Sequence, residues 1–193
     1  MLRPVGHFAV AAIGRDRPGI VAAVTRNLVD HQLNVEDSQM TILGGHFTMM
    51  LIISGGDGVE IGALRADLEA TARELSLEAI SVERVADTAR ATAAPTHTVT
   101  VYGVDHPGIV HAVSTALAQC EVNIIDLNTR LVVDDGAAAG NGDANARENL
   151  YAMMLEVVLP EGLTVPGLDG ILEATRREQG VEISIRELEP EAS

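Results

Sequence analysis

Residues 14–37 read G-R-D-R-P-G-I-V-A-A-V-T-R-N-L-V-D-H-Q-L-N-V-E-D, and this stretch decides the fold because the chain contains it twice. Residues 103–126 read G-V-D-H-P-G-I-V-H-A-V-S-T-A-L-A-Q-C-E-V-N-I-I-D. The two copies align without a gap at an offset of 89 residues, and 11 of their 24 positions are identical. Ordinary composition would give about one or two identities by chance. The chain is therefore a tandem repeat.

The positions kept in both copies fall into two sets. One set is an apolar stripe at helical spacing, which predicts a helix packed on a core. It comprises Ile20, Val21, Val24 and Leu28, matched by Ile109, Val110, Val113 and Leu117. The other set is polar or conformationally permissive and predicts a shaped loop. It comprises Gly14, Asp16, Pro18, Gly19, Asn34 and Asp37, matched by Gly103, Asp105, Pro107, Gly108, Asn123 and Asp126.

Each half of the chain predicts six elements in the order β-α-β-β-α-β. In the first half we expect strands at residues 7–13, 35–43, 46–54 and 78–85, with helices over 18–31 and 61–75. In the second half we expect strands at 97–102, 122–133, 150–159 and 182–188, with helices over 107–120 and 165–179. Gly44-Gly45 predicts a tight hairpin. This order is the split βαβ unit of the ferredoxin-like fold, so the sequence predicts an α+β protein with two such units.

The predicted domain division follows the period of the repeat. We expect the first domain at residues 1–86, a linker at 87–95 and the second domain at 96–193. The linker is predicted because it contains no large apolar residue and ends in Pro95.

The second unit carries a hairpin extension at residues 134–149, where the first has only Gly44-Gly45. Its Asn141 and Asp143 resemble part of a calcium loop. However, Ala146 stands where that loop needs its glycine, and Ala152 where it needs a bidentate glutamate. The extension is therefore predicted to be a flexible hairpin.

The composition argues against several classes of partner. The formal net charge is −15, whereas nucleic-acid binding draws most of its affinity from Lys and Arg on phosphates, so we expect no direct nucleic-acid contact. The sequence has no run of 18 apolar residues and no apolar signal segment at its N-terminus, so we expect a cytoplasmic protein without a membrane partner. The single Cys120 cannot form an intrachain disulfide and is predicted to be a packed thiol.

The repeated loop has the chemistry of a small-ligand site. A carboxylate at a helix N-terminus meets N–H groups without helical partners and the positive end of the helix dipole. Gly19 would let a ligand approach the backbone, and Asn34 offers a donor and an acceptor if the strand start returns toward the loop. These groups suit a free amino acid. A purely structural interpretation stays open, in which Asp16 caps the helix and Asn34 tolerates a left-handed turn.

The stretches H-F-A-V-A-A-I-G-R-D-R-P-G-I-V and N-V-E-D-S-Q-M resemble the ACT domain, a βαββαβ regulatory module. The resemblance covers nearly the whole chain in two copies. More narrowly, the chain looks like the two-ACT proteins related to the glycine cleavage system transcriptional repressor, and it is also similar to the N-terminal module of formyltetrahydrofolate deformylases. The resemblance implies that the D-x-P-G loop binds an amino acid at an interface between two modules.

Carried onto this sequence, the resemblance implies one set of ligand-binding residues in each copy. The first set is Asp16, Pro18, Gly19, Ile20 and Asn34, and the second is Asp105, Gly108, Ile109 and Asn123. Arg17 becomes His106 and Ala22 becomes His111 between the copies, so the two sites need not be equivalent.

The function implied is that of a non-enzymatic regulatory protein that binds glycine or serine. We expect a homo-oligomer, such as a homodimer, that signals through a protein partner such as a transcriptional regulator. No cofactor or metal is expected, because the six histidines show no metal-ligand spacing. One alternative is a ligand-independent adaptor or dimerisation protein. Another is a fragment related to formyltetrahydrofolate deformylase, although a second ACT-like unit replaces the catalytic domain of that enzyme.

Overall fold

The structure, a computed structural model, describes residues 6–56, 58–85, 94–132 and 150–189. The chain divides into two compact units, Met1–Ala91 and Thr92–Ser193. The predicted hairpin extension at 134–149 lies outside the described residues, as does most of the predicted linker at 87–95. The extension and the domain boundaries stay predictions.

The first unit has the predicted order of elements. They are β1 (Gly6–Arg15), α1 (Ile20–Asp30), β2 (Asn34–Leu43), β3 (His46–Gly55), α2 (Ile61–Leu75) and β4 (Leu77–Val85). The strands form one antiparallel sheet in the order β2-β3-β1-β4, with β2 and β4 at its edges.

The second unit repeats this arrangement. Its elements are β5 (His97–Val104), α3 (Ile109–Gln119), β6 (Asn123–Val132), β7 (Leu150–Val158), α4 (Val165–Gln179) and β8 (Val181–Glu187). Its antiparallel sheet has the order β6-β7-β5-β8. The prediction of two ferredoxin-like units in an α+β protein is confirmed.

Each unit has its own aliphatic core between its two helices and one face of its sheet. Alternate residues of the central strands point into that core, as the period of a strand requires, and one stripe of each helix covers them. The first core is formed by residues such as Phe8, Val10, Ile20, Val24, Leu28, Phe47, Met49, Leu51, Leu64 and Leu68. The second core is formed by residues such as Val99, Val101, Ile109, Val113, Leu117, Met153, Leu155, Leu168 and Leu172.

The assignment of Val21 and Val110 to the core is wrong. Val21 is 41% exposed and Val110 is 39% exposed, although their neighbours Ile20 and Ile109 are buried. Successive helical residues are about 100° apart around the axis, so a core position at Ile20 turns Val21 away from the core.

Glycines of the first unit serve two purposes, a tight turn and the close approach of two strands. Gly44 and Gly45 both have positive φ, 58° and 79°, and form the predicted two-residue hairpin between β2 and β3. Gly14 lies in a strand, where there is no room for a side chain. A Cβ there would lie 2.8 Å from Leu77 Cδ2 and 3.0 Å from Leu77 Cα, which is too close. The first glycine of the repeated loop therefore allows β1 and β4 to approach closely.

The helices are 11 or 15 residues long. Among the described residues, no helix combines the length and apolar character needed to cross a membrane. On the face of the first sheet away from the helices, Met50 is 51% exposed and Ile52 is half-buried.

Candidate functional site

The first turn of α1 presents backbone N–H groups beside the repeated loop. Gly19 precedes the helix with a left-handed backbone, φ 99°, and its carbonyl accepts from the Ala23 N–H over 2.9 Å. The N–H groups of Ile20, Val21 and Ala22 have no carbonyl one turn earlier to bind. In the part of the chain that the structure describes, no side chain caps this turn.

The predicted helix start and the predicted cap are therefore wrong. Pro18 lies in the turn before Gly19 instead of at the first helical position, and Asp16 makes no capping bond. The left-handed conformation of Gly19, which L residues rarely adopt, turns the chain so that α1 starts two residues after Pro18. The second loop behaves in the same way, because Gly108 has φ 110° and α3 begins at Ile109.

A cavity of about 600 Å³ lies over this turn. It is lined by Asp16, Arg17, Pro18, Gly19, Ile20, Val21, Ala22, Met40 and Phe47. The Asp16 carboxylate is exposed and, among the described residues, makes no hydrogen bond or ion pair. The side chain of Ile20 is buried, so this residue can offer a ligand only its backbone N–H.

Two hydrogen bonds hold the loop in place, one from a backbone N–H and one from a side chain. The Asp16 N–H donates to the Gly45 carbonyl over 3.1 Å, which ties the loop to the β2–β3 hairpin. Arg17 Nη2 donates to the Glu74 carbonyl over 3.2 Å, near the C-terminus of α2. A cation there also meets the negative end of the α2 dipole. The loop is thus held from two sides while the first turn of α1 stays open.

A second cavity, of about 190 Å³, lies between α1 and the edge strand β2. We call it the α1–β2 groove and define it by its lining residues Val21, Thr25, Val35, Ser38, Gln39, Met40, Met49 and Leu51. Val21 and Met40 line both cavities. Sequence reasoning missed Val21, Ala22, Met40 and Phe47 as lining residues.

Asn34 is not near the loop of its own unit. Asn34 pairs with Ser54, and Ser54 pairs with His7 at the start of β1, whereas the loop leaves the far end of β1 after Arg15. Eight residue steps separate His7 from Arg15, or about 26 Å of strand. The expectation that the start of β2 returns toward the loop is therefore wrong within the unit. A ligand contact by Asn34 stays a prediction.

The asparagines of the repeat also do not occupy the left-handed turn. Asn34 begins β2 and Asn123 begins β6, and the positive φ values belong to Gln32 (55°) and Glu121 (56°). The purely structural interpretation of the two asparagines is therefore wrong as well.

The second loop differs from the first at His106. Its ring nitrogens lie within hydrogen-bond distance of two carbonyls, Nε2 2.8 Å from that of Gln179 and Nδ1 3.2 Å from that of Pro107. A histidine can donate from both nitrogens only when it is doubly protonated. In agreement, the bond to Gln179 and then that to Pro107 raise the pKa of His106 above its ordinary 6.5, against a lowering by burial, and Asp105 adds to the rise.

Gln179 also approaches the second loop with its side chain. A Cβ on Gly108 would lie 3.7 Å from Gln179 Oε1, whereas a Cβ on Gly19 would meet nothing within 4 Å. Ile109 is buried like Ile20, so it too can offer only its backbone. The space beside the helix start is therefore more open in the first unit than in the second.

Metal-ligand clusters are not found in the described part of the chain, where no three His, Cys, Asp or Glu residues are arranged to hold an ion. The histidines of the first unit instead face single carboxylates: His7 with Glu36, His31 with Asp67 and His46 with Glu78. Cys120 is half-buried against the second core, and its thiol donates to the Ala116 carbonyl over 3.2 Å.

The chain matches a family model described as the ACT domain over residues 7–82 and 97–134, which together are more than half of its length. A UPF0237 protein of Methanopyrus kandleri is 38% identical over 72 residues, which are 37% of this chain and 80% of that protein. The glycine cleavage system transcriptional repressor of Escherichia coli is 29% identical over 124 residues, 64% of each chain.

A solved structure agrees with the sequence matches. The crystal structure of an unknown protein from Galdieria sulphuraria superposes with a TM-score of 0.73 at 29% identity. The superposition covers 96% of this chain and all of that one. The likeness thus extends over both units.

Proposed function

This chain belongs to the ACT domain family, and from that membership we propose that it is a regulatory protein whose first unit binds a free amino acid at residues 16–20. The observation that carries the proposal is the open first turn of α1: Ile20, Val21 and Ala22, whose backbone N–H groups have no helical partner, line one cavity together with Asp16. Helix N-termini stabilise anions, and a carboxylate stabilises an ammonium group. The two charges of an amino acid therefore find opposite charges in one cavity.

The first unit is the primary site in this proposal. Its loop is held by the hydrogen bond from Arg17 to the Glu74 carbonyl, and the space over Gly19 is open. The matching residues Asp105, Gly108 and Ile109 form a weaker site, because Gln179 lies against that loop.

Regulation is proposed to pass through a protein partner. The net charge of −15 disfavours contact with nucleic acid, so a role like that of the related glycine cleavage repressor would act through another protein, such as a transcriptional regulator. We also propose a homo-oligomer in the cytoplasm. The alternative is an adaptor in which the loop has no ligand.

A thermal-shift screen of the twenty common amino acids, glycine and serine included, tests the proposal. An amino acid at 100 times its Kd should stabilise the protein by about 2.7 kcal/mol, which raises the unfolding midpoint of a protein of this size by several degrees. No shift with any amino acid at millimolar concentration would contradict the proposal and favour the adaptor.

Asn34→Ala separates two versions of the site. Because Asn34 lies at the far end of β2 from the loop, the shift should persist in this variant if one unit forms the whole site. Loss of the shift, with an unchanged midpoint in the absence of ligand, would mean that Asn34 of a second copy completes the site.

A further inference from the structure

We propose that the α1–β2 groove holds the side chain of the bound amino acid, so that the ligand is one with an apolar side chain of three to five heavy atoms, such as valine, leucine or methionine. This inference rests on the proposed function, because it places the charged end of the same ligand at the loop. It adds the chemical class of the side chain, which the loop alone leaves open.

The groove continues directly from the loop cavity. Val21 and Met40 line both, and Val21 stands in the first turn of α1, where the ligand carboxylate is placed. A side chain that leaves the ligand's Cα between Val21 and Met40 points along α1 toward Thr25. The two residues at this junction are accessible, since Val21 is 41% and Met40 is 52% exposed.

The walls of the groove suit an apolar group. Met49 and Leu51 are buried beneath it, and Val21, Val35 and Met40 border it. The hydroxyl of Thr25 already donates to the Val21 carbonyl over 2.8 Å, so its proton is not available to a polar ligand.

The size of the groove selects against the smallest amino acids. An apolar cavity of about 150 Å³ can hold a benzene molecule, so a groove of about 190 Å³ accommodates a butyl-sized side chain and is left empty by glycine. Each methylene group that becomes buried strengthens binding about fourfold. Leucine should therefore bind at least tenfold more tightly than glycine.

The second unit provides a natural comparison. At the offset of 89 residues, Ser38 corresponds to Leu127 and Met40 to Thr129. Ser38 pairs with Leu51, which points into the core, so its side chain lies on the groove side of β2. A leucine at this position would put four carbons where we place the ligand side chain.

The test is isothermal titration of the full chain and of Ser38→Leu with glycine, serine, valine, leucine and methionine. For the unsubstituted chain we expect leucine or methionine to bind most tightly. Ser38→Leu should weaken their binding at least tenfold and change glycine binding less than twofold. Thr41→Leu is the matched control, because Thr41 pairs with the exposed Thr48 on the opposite face of the sheet.

Three outcomes would overturn the inference. Glycine or serine binding more tightly than leucine would refute the side-chain assignment and leave the proposed function intact. If Ser38→Leu weakens the binding of glycine and of leucine equally, the groove does not contact the side chain of the bound ligand. Absence of binding by any amino acid would overturn both proposals. If Ser38→Leu fails to fold, Met40→Thr replaces it, with the expectation of a smaller preference for leucine over glycine.

Discussion

At the residue scale, the two repeated glycines of the loop are kept for different physical reasons. Gly14 gives room to the neighbouring strand, because a Cβ would collide with Leu77. Gly19 supplies a left-handed backbone in open space, just before the first turn of α1. One is a packing requirement and the other forms the candidate site.

Gly19→Ala should destabilise the first unit by about 1–2 kcal/mol, the cost of a left-handed L residue. The cost is purely one of backbone conformation, since a Cβ at this position would meet nothing within 4 Å. Urea denaturation monitored by circular dichroism measures it. Gly62→Ala, inside α2 and equally free of contacts, is the control and should not destabilise. Equal stability of the Gly19→Ala variant and the unsubstituted chain would refute the assigned backbone conformation.

His106 should make the stability of the second unit depend on pH. Its pKa is raised in the folded state, mainly by the bonds to the carbonyls of Gln179 and Pro107. A raised folded pKa contributes stability that is complete below the ordinary pKa of 6.5 and disappears as the pH rises through the folded value.

Denaturation of His106→Ala at about pH 5.5 and about pH 8 tests this dependence. The variant should lose stability relative to the unsubstituted chain at the lower pH and differ less at the higher pH. His111→Ala, exposed in the first turn of α3, is the histidine control. If the loss of stability in His106→Ala, relative to the unsubstituted chain, grows with pH, the contacts assigned to His106 are contradicted.

At the element scale, α1 has one face in the core and another along the groove. Leu28 is 1% exposed and its neighbour Val29 is 66% exposed. Leu28→Ala should cost about 2–5 kcal/mol, whereas Val29→Ala should change stability by less than about 0.5 kcal/mol. Urea denaturation of the two variants measures both values. Similar costs would mean that the helix is rotated about its axis from the orientation described.

The order of elements could be predicted because it depends on local patterns. The apolar stripe of α1 and Gly44-Gly45 both act over a few residues, and the structure confirms the helix and the hairpin. The sequence predicts a helix that starts at Pro18, whereas α1 starts at Ile20, because sequence alone does not show that Gly19 takes the left-handed conformation. Adjacent residues of a helix point about 100° apart, so the pair Ile20-Val21 itself indicates that only one of the two residues faces the core.

The candidate site was predictable only in part, because sheet register depends on distant residues. Asp16 and Gly19 are placed together by the loop itself. The groove instead requires β2 to be an edge strand with Met40 opposite Met49, and the remoteness of Asn34 follows from the same register. No local signal in the sequence contains that pairing.

At the scale of the whole molecule, the charge of −15 predicts the absence of direct DNA binding. In a mobility-shift assay at about 0.15 M salt, the protein should not retard duplex DNA at micromolar concentration. A retarded complex whose affinity falls steeply with salt would contradict this expectation and the proposed route through a protein partner.

The two units share a fold but are proposed to differ in ligand binding, and one titration tests this central claim most directly. The amino acid with the largest thermal shift is titrated calorimetrically into the unsubstituted chain, Asp16→Asn and Asp105→Asn. A lost charge-assisted bond costs about tenfold or more in affinity. We predict that loss for Asp16→Asn and near-normal binding for Asp105→Asn. Unchanged binding by Asp16→Asn, or loss in Asp105→Asn alone, would contradict the assignment of the ligand to the first loop.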